Sequence, residues 1–251
     1  MEDDVHEPEI ERENYFVSMT DMMVGLVFIF IIMLMYFALQ LRNVTEQLTS
    51  ADNTRTEILA ELQKSLKDKG VPVTIDTLNG ILRLPDAILF DSAHADLKPA
   101  GETAVTHLAE ALTDVLPCYA ELPGTGPKPR RTCKGPHHHI ESLYVEGHTD
   151  IDPLTDTSRF KDNWDLSVAR ATNTYRQLTT IKPELAQLCA LKGPKCEPIL
   201  SVSGYGPQRP AEPGDSPEAK RSNRRIDIRI IMVTPDGGQT AGVLAQRLGT
   251  K

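Results

Sequence analysis

Asp21 is the only formal charge between residues 16 and 41, a run of 26 positions that is otherwise uncharged and largely apolar. Holding a carboxylate near the middle of a membrane helix costs about 2.5–3.5 kcal/mol on insertion scales, and groups held there face a partner helix or an aqueous path. The chemistry that fits is binding and release of a small cation, a proton or Na⁺, with the hydroxyls of Ser18 and Thr20 near enough in sequence to help hold it. A second reactive set lies downstream, where Cys118, Cys133, Cys189 and Cys196 form two local pairs flanking Gly/Pro-rich loops. Disulfides Cys118–Cys133 and Cys189–Cys196 would limit loop freedom in the unfolded chain. Four reduced thiols are the alternative, and neither pair has the tight spacing that structural zinc prefers. His137, His138 and His139 sit in a Pro/Gly-rich loop beside Arg130 and Arg131 and read as a solvated run, not as metal ligands. His94 and His148 read as surface or strand-end residues.

Positioning Asp21 requires a helix, and about 20 apolar residues suffice to cross a hydrocarbon core. The 16–41 run is therefore expected to span. Before it stand seven acidic residues (Glu2, Asp3, Asp4, Glu7, Glu9, Glu11, Glu13) against Arg12, the opposite of a basic signal-peptide start, so an uncleaved anchor is expected. This tail accounts for most of the net charge of −8. The rest is nearly neutral, which gives no electrostatic footprint for direct nucleic-acid binding.

Residues 42–70 carry apolar positions at helical period, with the 50–55 stretch predicting a kink or a two-piece spacer helix. Gly70 and Pro72 end it. A hairpin with an Asn79-Gly80 turn is predicted between strands at 73–78 and 81–84. Further on, a helix is predicted at 104–116, a strand at 140–146, a helix at 166–178 and strands at 199–202 and 225–233. The expected fold is an α/β sandwich: a mixed sheet with helices on one face, the loops 118–139 and 205–222 being rich in Pro, Gly and charge. The resulting division is an acidic tail at 1–15, a transmembrane helix at 16–41, a linker helix at 42–70, a globular domain at 71–235 and a tail at 236–251.

Three motifs stand in order within that domain: Val145-Glu146-Gly147-His148-Thr149-Asp150, then Asn163-Trp164-Asp165-Leu166-Ser167-Val168-Ala169-Arg170-Ala171, then Arg221-Ser222-Asn223-Arg224-Arg225-Ile226-Asp227-Ile228. Together with Leu89-Phe90-Asp91, Leu97-Lys98-Pro99 and Gly204-Tyr205-Gly206 they resemble the OmpA-like peptidoglycan-binding domain. That resemblance implies that Asp150 and Arg170 bind the diaminopimelate of the cell-wall peptide. The chemistry agrees, because a zwitterionic amino-acid terminus needs a carboxylate for its ammonium and a guanidinium fork for its carboxylate. Asn163 and Thr149 could add hydrogen bonds. Arg224 and Arg225 are ambiguous between touching glycan and bridging at a strand start. The bland alternative is that Asp150 and Arg170 pair with each other and only pin the fold. Asp150 and Asp152 could imitate an acid pair, but their neighbours match a binding motif, and no enzyme is expected.

The run Ser18-Met19-Thr20-Asp21-Met22-Met23-Val24-Gly25 is similar to the ion-carrying helix of MotB-type stator B subunits, and the order of helix, spacer and OmpA-like domain is theirs. The acidic tail and the run from Arg83 to Asp91 resemble the B subunits of Zorya anti-phage defence. The resemblance implies an inner-membrane protein with a cytoplasmic amino terminus and a periplasmic domain. It further implies a ring of five MotA-like chains around two copies of this one, no cofactor beyond the transported ion, and peptidoglycan as the anchor. A flagellar-type stator and a passive wall tether are the alternatives.

Overall fold

The computed structural model describes residues 9–121, 133, 138–154, 159–192 and 195–234. The expected tail at 236–251 lies outside them. The chain forms two compact units that divide between Thr49 and Ser50. Helix α1 runs over Glu9–Asp68, and in the first unit its described side chains are exposed almost throughout. Among the described residues it is the one helix long and apolar enough to cross a membrane.

The spacer is not in two pieces, because its polar interruption is satisfied within the helix. The Thr54 hydroxyl donates to the Ser50 carbonyl at 3.0 Å and the Thr56 hydroxyl to the Asp52 carbonyl at 2.9 Å, so neither caps a break. In the second unit the buried side of α1 is Ala51, Thr54, Ile58, Leu59, Leu62 and Leu66. Burial of each large aliphatic side chain stabilises by about 1.5–3 kcal/mol, enough to override a locally polar stretch.

The second unit is a mixed sheet with helices on one face. Its strands are β1 (Thr74–Asp76), β2 (Ile81–Pro85), β3 (Ile140–His148), β6 (Leu200–Gly204) and β7 (Arg225–Met232), in the order β1-β2-β7-β3-β6. Only β3 and β6 run parallel. Leu82, Leu84, Leu143, Val145, Ile226, Ile228 and Ile230 share one core with the α1 side chains and with Val105, Leu108 and Leu112 of α3 (Pro99–Val115). Between β2 and α3 lies the single turn α2 (Asp86–Leu89). Helix α4 (Asn163–Ile181) begins at an Asp162 cap that accepts from the Trp164 and Asp165 amides.

Several elements depart from the sequence expectation. The first hairpin pairs Asp76 with Ile81, so its loop is four residues and not Asn-Gly alone. Asp76 accepts from the Asn79 amide at 3.2 Å, and Gly80 takes φ +70°, so the turn closes around that carboxylate. A separate hairpin, β4 (Cys189–Lys192) with β5 (Lys195–Pro198), and a short helix α5 (Pro217–Asn223) occupy segments expected to be loop. Helix α3 begins at Pro99, where the ring suits the first helical position.

Gly147 sets the packing of α4 on the sheet, since a β-carbon there would overlap the Ser167 carbonyl. Gly147→Ala is expected to destabilise the second unit by about 1–3 kcal/mol. Chemical denaturation of the variant reads this, and an unchanged midpoint would contradict the packing described.

Candidate functional site

At the carboxyl end of β3 the chain turns into the loop that carries Thr149 and Asp150, and across from it the first turns of α4 present Asn163, Leu166 and Arg170. With Asp86, Phe90, Asp91, Asp152 and Arg224 these residues line a cleft of about 550 Å³. All five residues expected to bind the wall peptide (Asp150, Arg170, Asn163, Thr149 and Arg224) are therefore brought to one place. Asp150 and Arg170 do not pair with each other. Arg170 Nη1 lies 3.1 Å from Asp86 Oδ1, and Arg224 Nη1 lies 2.5 Å from Asp150 Oδ2. The cleft thus holds two anion–cation pairs.

Arg170 is 2% exposed. Its Nε donates to the His94 carbonyl at 2.8 Å and its Nη2 to the Asp91 carbonyl at 3.2 Å, while the guanidinium carbon lies 5.1 Å from the Phe90 ring centre. Burial lowers its pKa, opposed by the attraction of Asp86. Asp86 responds in the other direction: burial pushes its carboxyl up to about 6, against the pull of Arg170, Arg224 and Lys98. Asn163 Nδ2 donates to the Asp152 carbonyl at 2.7 Å and the Asp150 carbonyl at 3.3 Å, which fixes the loop that carries Asp150. Lys220 Nζ bonds Asp152 Oδ1 at 2.8 Å and closes the rim. Asp86 and Asp152 were not singled out as binding residues from sequence; Asp86 carried a signal only as part of the run from Arg83 to Asp91.

Arg225, the neighbour of Arg224, faces elsewhere. On the sheet face opposite the helices, Asp227 stands directly across from both Glu146 and Arg83. The clash between the two carboxylates is relieved by arginines of β7: Arg229 grips Glu146 diagonally with two bonds of 2.8 Å, and Arg225 Nε donates along the strand to Asp227 at 2.9 Å. His148 is the last residue of β3, a strand-end residue as expected, but at 1% exposure it is not on the surface, and its ring stacks on Tyr205 at 5.3 Å between centres. The ligand atoms of Glu146, His148 and Asp227 fall within 4.8 Å of one another. Arg225 and Arg229 already neutralise both carboxylates, so the grouping is poorly suited to a cation.

Asp21 and Ser18 are exposed on α1 in the first unit, and the Thr20 hydroxyl donates to the Phe16 carbonyl at 2.7 Å. Cys118 is bonded to Cys133 and Cys189 to Cys196. Of the histidine run, His137 lies outside the described residues, and His139 Nδ1 is 3.9 Å from Glu121.

No family model matches the sequence. The chain is 26% identical to Motility protein B of Bacillus subtilis over 72% of its own length and 58% of that protein's, so it spans less than two thirds of that relative. It is 22% identical to Zorya protein ZorB of Escherichia coli, over 89% of this chain and 91% of ZorB. Its fold is that of a MotB-like protein from Desulfovibrio vulgaris, at a TM-score of 0.50 and 22% identity, covering 75% of this chain and 98% of that one. The chain is thus similar to MotB-like proteins, and its match to ZorB runs over nearly the whole of both chains.

Burial lowers the pKa of His148 from 6.5 to about 3, with Arg225, Arg229 and Arg209 adding repulsion. The unfolded chain therefore binds a proton that the folded chain refuses. Stability contributed by neutral His148 is complete above about pH 6.5 and falls by up to about 1.4 kcal/mol per pH unit below it. The stability difference between wild type and His148→Gln, measured by denaturation from pH 7.5 to 4, is expected to shift against wild type as pH falls. A pH-independent difference would show that His148 protonates freely in the fold.

Proposed function

We propose that the chain is the peptidoglycan-anchored B subunit of an ion-driven rotary motor of the MotAB type, serving Zorya anti-phage defence. The observation that carries this reading is the presence in one chain of a lone carboxylate, Asp21, within a membrane-length helix and of a charged cleft built from Asp150, Arg170 and Arg224. The extent of the ZorB match, running over nine tenths of that protein, favours defence over flagellar service.

In this reading the helix crosses the inner membrane, with the amino terminus in the cytoplasm and the second unit in the periplasm, where oxidising conditions suit Cys118–Cys133 and Cys189–Cys196. Five MotA-like chains, the ZorA subunits, form a ring around two copies of this chain. Asp21 takes a proton or Na⁺ from the periplasmic side, loses its net charge, and releases the ion inward as the ring steps. Ser18 and Thr20 can supply oxygen ligands. Each elementary charge moved through 100 mV supplies about 2.3 kcal/mol.

The cleft supplies the fixed frame. The ammonium of a diaminopimelate centre replaces Arg224 as the partner of Asp150, and its carboxylate is received by Arg224 and by the unoccupied N–H bonds of Arg170. Asn163 and Thr149 hold the loop that aims Asp150.

Two variants test the halves separately. Asp21→Asn is expected to leave assembly with the ring and retention on sacculi intact while phage protection falls to the level of cells lacking the system; undiminished protection would leave only a passive tether. Asp150→Ala is expected to weaken retention of the detergent-solubilised full chain on purified sacculi at least tenfold, a loss of about 1.4 kcal/mol or more. Unchanged retention would remove the cleft from wall binding.

A further inference from the structure

Asp86 is the least explained member of the cleft. It is 5% exposed, stands at the first position of α2, and puts Oδ1 3.1 Å from Arg170 Nη1. Its amide donates to the Arg224 carbonyl at 3.1 Å, which ties the α2 start to the residue that pairs with Asp150. Of the five N–H bonds of Arg170, one at Nε goes to His94 and one at Nη2 to Asp91, while Nη1 meets Asp86 as an ion pair, leaving N–H bonds at Nη1 and Nη2 for a ligand. Any carboxylate that takes those two shares one guanidinium with Asp86. A second carboxylate brought beside a buried one raises its affinity for a proton.

We propose that Asp86 is the positioning counter-ion of Arg170, holding the guanidinium in place while the cleft is empty and taking up one proton from solvent when the carboxylate of the wall peptide arrives. The proposal rests on the wall-binding reading above. The charged groups facing Asp86 are Arg170 from α4, Arg224 ahead of β7, Asp150 after β3 and Lys98 at the start of α3, whose Nζ bonds the Ala87 carbonyl. On binding, the ligand ammonium takes the place of Arg224 beside Asp150 while Arg224 turns to the ligand carboxylate, so these four charges balance among themselves, and Lys98 is held by a carbonyl. The proton balance therefore falls on Asp86, whose carboxyl burial already pushes up to about 6. His94 lends only its carbonyl to Arg170, and its ring faces the Ser92 carbonyl at 2.7 Å.

The test is calorimetric titration of free meso-diaminopimelate into the detergent-solubilised full chain between pH 5.5 and 8. The ligand's own charges are constant over that range. The wild-type association constant is expected to rise as pH falls toward about 6, by at most tenfold per unit, and to level below it. Asp86→Asn, which keeps the shape but cannot ionise, is expected to bind with no such slope. A slope in Asp86→Asn equal to that of wild type overturns the proposal and assigns the proton to another group such as His94. Should Asp86→Asn fail to melt cooperatively, wild type alone decides: titrations at pH 7 in buffers of different ionisation enthalpy read the protons taken up, and a value of zero overturns the proposal. Wild-type binding without pH dependence sinks the role of Asp86 only. No wild-type binding at any pH sinks the wall-binding reading itself.

Discussion

The close seating of α4 on the ends of two parallel strands is the constraint from which the cleft follows. Gly147 of β3 and Gly204 of β6 are register partners, and together they make a patch of sheet without side chains. Ser167 and Val168 of α4 sit on that patch: a β-carbon on Gly204 would lie 2.7 Å from the Ser167 hydroxyl oxygen. The same hydroxyl donates to the Trp164 carbonyl at 2.8 Å and accepts from the Gly206 amide at 3.0 Å, locking the helix start to the loop after β6. Since Gly206 accepts from the Thr149 amide at 2.9 Å, the loop that carries Asp150 is tied to the same point. Asp150 and Arg170 thus face one cleft because two glycines let a helix approach a sheet more closely than side chains permit.

Charge is then handled differently on the two sides of the sheet. On the face opposite the helices Glu146 and Asp227 are buried among Arg83, Arg225 and Arg229, so each carboxylate there has a guanidinium from its own sheet. In the cleft the pairs are one to one and incomplete. Arg224 keeps a third of its side chain exposed, and Arg170 keeps two donors unassigned. A filled ionic layer stabilises or specifies a fold, whereas an incomplete one can exchange a partner for a ligand. The difference separates Arg224 from Arg225, adjacent residues that sequence alone left ambiguous.

The legible part of the site was the part carried by local motifs. Asp150, Asn163 and Arg170 belong to runs in which a strand end or a helix start brings the functional residue into view, and the paired glycines lie in those runs or beside them. Asp86 was not legible as a binding residue because its partner Arg170 is remote in sequence and nothing local marks a carboxylate destined for burial. The same reasoning covers the fold. Long apolar periods placed α3, β3, α4 and β7 to within a few residues, whereas β4–β5 and α5 are short and carry little period. For α5 a local signal existed, since Ser216 caps Ala219 and Pro217 takes the first helical position. The polar stretch at 50–55 does not divide the spacer helix in two, because its threonine hydroxyls bind carbonyls of their own helix while the apolar positions after it are buried.

The two chemistries proposed for this chain differ in how much of their surroundings the chain itself provides. The cleft is closed by its own residues: each guanidinium there has a carboxylate, and the backbone that aims them is tied down on both sides. Asp21 sits on a helix whose described side chains from Phe16 to Leu39 are all exposed. A single helix satisfies its own backbone bonds but cannot shield a carboxylate from lipid or line a path for an ion. The apolar length of residues 16–41 fixes where such a helix can sit, and the one charge within it fixes what must surround it: a second surface bearing polar groups at the depth of Asp21. The ion chemistry proposed for Asp21 would therefore be a property of an assembly, while the ligand chemistry proposed for Asp150 and Arg170 would be a property of the fold.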